Sequence, residues 1–175
     1  MRGDHGLVHA QHEPAQLGER RAGVMIALDA SYSMQHRSAG GETRFARALE
    51  TIETISETVQ PGDPISLVLL GDEHKVVAHN MIFEPRRFAS LLREQRSRPA
   101  QLNLETLPAT LSGLAADMRA NQKEVYLVTD LQAGDWRNPS PWLREGLKEL
   151  NEAARTVVVP VPGRSTNLAG KDFSL

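Results

Sequence analysis

A carboxylate and two hydroxyls stand on alternate residues at Asp29, Ser31 and Ser33, directly after the apolar run Val24-Met25-Ile26-Ala27-Leu28. If the chain turns sharply just past a strand, those three side chains converge on one point. Their oxygens are hard donors, which suit Mg2+, Mn2+ or Ca2+ better than zinc or copper. A second acidic residue, Asp130, follows the run Val125-Tyr126-Leu127-Val128-Thr129 in the same way. It would reach the ion directly or through water. Hydroxyl ligands leave a divalent cation under-neutralised, so the expected partner is a protein that offers an Asp or Glu carboxylate.

The elements that must position these residues alternate along the chain. The spacing of Phe45, Leu49, Ile52, Ile55 and Val59 predicts an amphipathic helix over 43–60. Pro61-Gly62-Asp63-Pro64 stops it, and Ile65 to Leu70 is a near-continuous apolar run, as in a strand covered on both faces. Gly71-Asp72-Glu73-His74 then turns into a short strand, Lys75 to His79, which predicts an antiparallel hairpin at the sheet edge. Helices are expected over 85–96, 106–120 and 141–155, and strands over 125–129 and 156–159. This alternation predicts an α/β fold: a mostly parallel sheet with one short antiparallel edge strand and helices on both faces. In such a sheet ligands bind beyond the carboxyl ends of the strands, where the winding reverses. Asp29 and Asp130 both end strands and are expected to meet there.

Asp29-x-Ser31-x-Ser33, the helix beginning near Arg44-Phe45, and Thr129-Asp130 resemble a von Willebrand factor type A domain with its metal-ion-dependent adhesion site. The resemblance covers about residues 22–162. Asp29 to Met34, Arg44-Phe45, Pro61-Gly62-Asp63 and Lys123 to Gln132 look like the bacterial Bat-type, aerotolerance-related and membrane-embedded members. The resemblance implies a Rossmann-like, doubly wound domain that binds Mg2+ and is not an enzyme. It further implies a membrane-associated setting in bacteria, a membrane-protein complex and an ATPase partner. Carried over residue by residue, Ser31 and Ser33 are direct ligands, and Asp29 and Asp130 act directly or through water. The family's middle-loop threonine falls on Glu105, with Thr106 beside it. Three outcomes stand open: Thr106 moves into place, Glu105 caps the ion itself, or both face solvent.

The whole composition admits this reading. The chain has 175 residues, 40% of them hydrophobic, enough for one folded domain. Its 20 Lys+Arg nearly balance 22 Asp+Glu, which gives no reason to expect nucleic acid as a partner. Cysteine is absent, so there is neither a disulfide framework nor a thiolate metal site. No apolar run approaches the ~20 residues that span a bilayer, and the expectation is a soluble domain. Residues 1–21, with His5, His9 and His12, read as a loosely packed polar tail. Residues 163–175 read as a second tail, the last five forming either a sixth strand or the start of a further domain.

Two other classes compete. One is a structural module of the same fold with a degenerate metal site. The other is a Mg2+-dependent phosphoryl-transfer enzyme. Against the enzyme, no Gly-rich phosphate loop with a Lys-Ser/Thr pair follows a strand, and no histidine is placed to activate Ser31. His74 and His79 are expected to be solvated on the edge hairpin, while Trp136 and Trp142 are expected to pack at a helix–sheet junction.

Overall fold

The computed structural model describes residues 22–38, 40–132 and 134–161; both tails, with the histidines of the leader, lie outside the described residues. Five strands run in the spatial order β3-β2-β1-β4-β5. They are β1 (Ala22–Asp29), β2 (Pro64–Leu70), β3 (Lys75–Ile82), β4 (Gln122–Thr129) and β5 (Arg155–Pro160). All neighbours are parallel except β2 and β3, the expected antiparallel edge pair.

Alternation of side chains along β1 and β2 sends apolar residues to both faces, and each face has its own helices. On one face Val24, Ile26 and Leu28 meet α1 (Arg44–Ser56) and α2 (Pro85–Arg93) through Phe45, Ile52, Phe88 and Leu92. On the other, Met25 and Ala27 meet α3 (Leu107–Ala116) and α5 (Pro141–Ala153) through Leu111, Leu143 and Leu147. A short helix α4 (Gly134–Arg137) precedes α5. The chain leaves β1 toward β2 across one face, and leaves β4 toward β5 across the other. The winding therefore reverses between β1 and β4, which creates a crevice at their carboxyl ends.

Two expectations about side chains change. His79 is not simply solvated: its ring lies 3.2 Å from the Ser66 hydroxyl through Nδ1 and 2.8 Å from the Asp117 carboxylate through Nε2. Ser66 Oγ also accepts the Asn80 amide at 3.1 Å, where the β2–β3 register shifts. Serine, histidine and aspartate stand in line, but Ser66 is 1% exposed in mid-strand, so the trio ties the edge hairpin to the end of α3 rather than presenting a nucleophile. Trp136 packs on the core as expected, whereas Trp142, in the first turn of α5, is 52% exposed.

Helices α3 and α5 approach closely at Gly146. A Cβ there would lie 2.6 Å from Pro108 Cβ, and a proline ring has little room to yield. Alanine ordinarily improves a helix by about 1 kcal/mol over glycine. Gly146→Ala is nevertheless expected to destabilise the domain by about 2 kcal/mol, because overpacking a rigid contact outweighs the helix gain. A urea melt that shows the variant more stable than the parent would contradict this contact.

Candidate metal centre

Parallel pairing sets Leu28 opposite Val128, so Asp29 and Thr129 leave the sheet side by side. The Thr129 hydroxyl donates to Asp29 Oδ2 at 2.6 Å, and the Ser31 amide donates to Oδ1 at 2.9 Å. Asp29 is 1% exposed. Burial pushes its carboxyl above the ordinary carboxylate range, against the hydrogen bonds from Ser31 and Thr129, which pull it down.

Past Asp29 the chain makes a short 3-10 turn over Tyr32–Gln35 with Met34 as its buried anchor. The turn brings the Ser31 and Ser33 hydroxyls within 3.2 Å of each other. Ser33 in turn donates to Asp130 Oδ1 at 3.1 Å, bridging residues 97 apart in sequence. The Gln132 amide also donates to Asp130 Oδ1 at 3.1 Å, while the intervening Leu131 takes a positive φ of 56°. A left-handed leucine is a local strain that its surroundings must hold in place.

One participant was not foreseen from sequence. Arg44 Nη1 donates to Asp130 Oδ2 at 2.7 Å, with the arginine side chain 15% exposed and the aspartate 1%. Arg44 is the first residue of α1, capped by Thr43, whose hydroxyl accepts the Ala46 amide at 3.1 Å. A cation at a helix N-terminus opposes the helix dipole, which favours acids there. That mismatch was the available signal. Thr129 is likewise more than a neighbour of Asp130, since it holds the Asp29 carboxylate.

Four of the five expected ligands, Asp29, Ser31, Ser33 and Asp130, thus form one hydrogen-bonded cluster. Thr106 is not bonded into it. Asn103 Oδ1 accepts the amides of Glu105 and Thr106, at 3.1 and 3.3 Å, and α3 starts only at Leu107. The Thr106 hydroxyl is left 3.2 Å from His74 Nε2 on the β2–β3 turn. His74 is half-buried rather than solvated, and burial lowers its affinity for a proton. Glu105 is exposed and lines a hollow of about 440 Å³ with Trp142 and Ser140, beside the start of α5. The loop still reaches the centre through its backbone: the Tyr32 amide donates to the Ala100 carbonyl at 2.7 Å, and the Arg98 amide to the Ala30 carbonyl at 2.7 Å.

The donor set fits a hard divalent cation. Two hydroxyls lie together with two carboxylates behind them, and among the described residues no group of three His, Asp or Glu side chains gathers to make a softer or more highly charged site. Beside Ser33 a hollow of about 730 Å³ opens, whose charged lining among the described residues is Arg37 and Arg44, with no acid.

The von Willebrand factor type A profile matches residues 24–133. Among curated proteins none is similar in sequence at a significant level. The fold resembles that of BatB from Bacteroides thetaiotaomicron, with a TM-score of 0.64 and 15% identity over 87% of this chain and 76% of that one. It also resembles an aerotolerance-related membrane protein from Bacteroides fragilis, with a TM-score of 0.60 and 15% identity over 87% of this chain and 77% of that one. A third likeness is to proximal thread matrix protein 1 from the mussel byssus, in a structure with a zinc-occupied metal-ion-dependent adhesion motif. There the TM-score is 0.63 and the identity 13%, over 83% of this chain and 39% of that one. These likenesses establish the fold, and the profile, spanning well over half of the residues, establishes that the chain belongs to the von Willebrand factor type A domain family.

Proposed function

We propose that this domain is a non-enzymatic protein-interaction module that binds Mg2+, or Mn2+ or Ca2+, at its adhesion site and recruits a carboxylate of a partner protein to the ion. The observation that carries this reading is the convergence of Asp29, Ser31, Ser33 and Asp130 at the carboxyl ends of β1 and β4. Ser31 and Ser33 would hold the ion, while Asp29 and Asp130 orient them and supply charge. With both carboxylates ionised, Arg44 neutralises one of them and the cluster carries one net negative charge. A divalent cation would turn it net positive, and the cationic lining beside Ser33 adds to the pull on an acidic partner. The zinc seen in the mussel relative supports divalent binding in this type of site. Oxygen donors alone favour the harder ions here. The name of the aerotolerance-related membrane protein that shares this fold favours a setting beside a bacterial membrane; a membrane-protein complex with an ATPase as partner rests on the resemblance of the sequence motifs alone.

A second reading, a structural domain whose metal site has lapsed, is favoured by one observation: the Thr106 hydroxyl lies against His74 rather than in the cluster. Calorimetric titration with Mg2+ and Mn2+ separates the two. Saturable binding is expected for the parent protein, and none for Ser31→Ala/Ser33→Ala. A folded parent that takes up neither ion would leave the structural reading.

A further inference from the structure

We propose that Arg44 sets the affinity of the centre for its cation, as a resident positive charge that holds Asp130 until a metal displaces part of that interaction. The inference rests on the metal-binding reading above and adds a residue and a direction to it. In the present arrangement Asp130 is fully engaged: Oδ2 by Arg44, Oδ1 by Ser33 and the Gln132 amide. The Ser33 hydroxyl donates its proton to Asp130, which leaves its lone pairs for a metal while Asp130 itself has no oxygen without a donor. A cation that draws on the Asp130 charge must therefore share that carboxylate with a guanidinium. Like charges at such short range repel, and a low-dielectric setting strengthens the repulsion. The Arg44 backbone is fixed by its amide, which donates to the His36 carbonyl at 3.1 Å, and its Nη1 also lies 3.5 Å from the Ser33 carbonyl. Its Nε is buried and has no hydrogen-bond partner among the described residues, so the guanidinium's close polar contacts there are those of Nη1. Arg44 is thus a positioning residue that makes the empty centre self-consistent and the loaded one weaker.

The test compares the parent, Arg44→Gln and Arg44→Lys by calorimetric titration with Mg2+ and Mn2+, and by melting in EDTA and in Mg2+. Arg44→Gln is expected to bind Mg2+ about tenfold more tightly. It should also melt lower than the parent in EDTA and regain most of the difference in Mg2+. Arg44→Lys, which keeps the charge, is expected to stay within about threefold of the parent in affinity. Because Arg44→Gln risks not folding, nitrogen NMR of the arginine side chains in the parent gives an independent reading, with the Arg44 Nε–H signal identified by its loss in Arg44→Lys. That signal is expected to shift on Mg2+ addition. Equal Mg2+ affinities for parent and Arg44→Gln, or an unmoved Arg44 signal at saturation, would overturn the role of Arg44 and leave metal binding standing. If neither protein binds Mg2+, the proposed function falls, and this inference with it.

Discussion

Asp130→Ala is expected to destabilise the metal-free domain by about 3 kcal/mol, a fall of roughly 8 °C in melting temperature. The reason is what the substitution leaves behind. Arg44 would keep its charge at the first turn of α1, where the helix dipole already opposes it, with its carboxylate partner gone. The Ser33 hydroxyl and the Gln132 amide would lose their shared acceptor as well. Removing one member of a buried ion pair usually costs about 3–5 kcal/mol, and the hollow beside Arg44 lets in enough water to favour the lower figure. The double variant Asp130→Ala/Arg44→Met should recover a large part of the loss, since no unpaired charge remains. Denaturant melts of the parent, both singles and the double form the necessary cycle. A single variant within 1 kcal/mol of the parent would show that the pair does not hold this end of the sheet together.

Asp29→Asn carries the second large effect, and its two parts have opposite signs. Mg2+ affinity is expected to fall by about 100-fold, because the carboxylate that orients Ser31 and balances the ion is gone. Stability without metal is expected to be equal to or greater than that of the parent at neutral pH. Burial raises the Asp29 carboxyl in the folded state, so the folded chain holds that proton more tightly than the unfolded one. Such a group contributes most below its unfolded value near 3.8 and loses that contribution as pH rises through the folded value. An asparagine keeps an acceptor for the Ser31 amide and carries no buried charge. Thermal melts in EDTA across acid to neutral pH should therefore show the parent losing ground to the variant as pH rises. A variant that is less stable throughout would mean that the ionised carboxylate is a net stabiliser of the empty centre.

Periodicity made the frame readable in advance. Apolar spacing on α1, the unbroken run in β2 and the Gly-Asp turn before β3 located these elements within a few residues, because each pattern reflects which faces must be covered. Helices on both faces and an antiparallel edge followed from the same alternation. The 3-10 turn at Tyr32–Gln35 and helix α4 are each four residues long, too short to leave a periodic trace.

Within the centre, the residues legible beforehand are those that end strands or follow them directly: Asp29, Ser31, Ser33 and Asp130. A strand exit constrains position, and parallel pairing of β1 with β4 brings the two exits level. Thr106 and Glu105 lie in a loop whose course depends on which acceptor captures its amides, and Asn103 decides that. The environments of His74 and His79 depend on contacts between segments more than thirty residues apart, with Thr106 and Asp117. By itself the sequence determined the strand-and-helix order and the cluster of hard oxygens, since both are written in local spacing. Only the tertiary structure decided that Arg44 faces Asp130 across 86 residues, because an ion pair formed between a helix start and a distant strand end has no local signature.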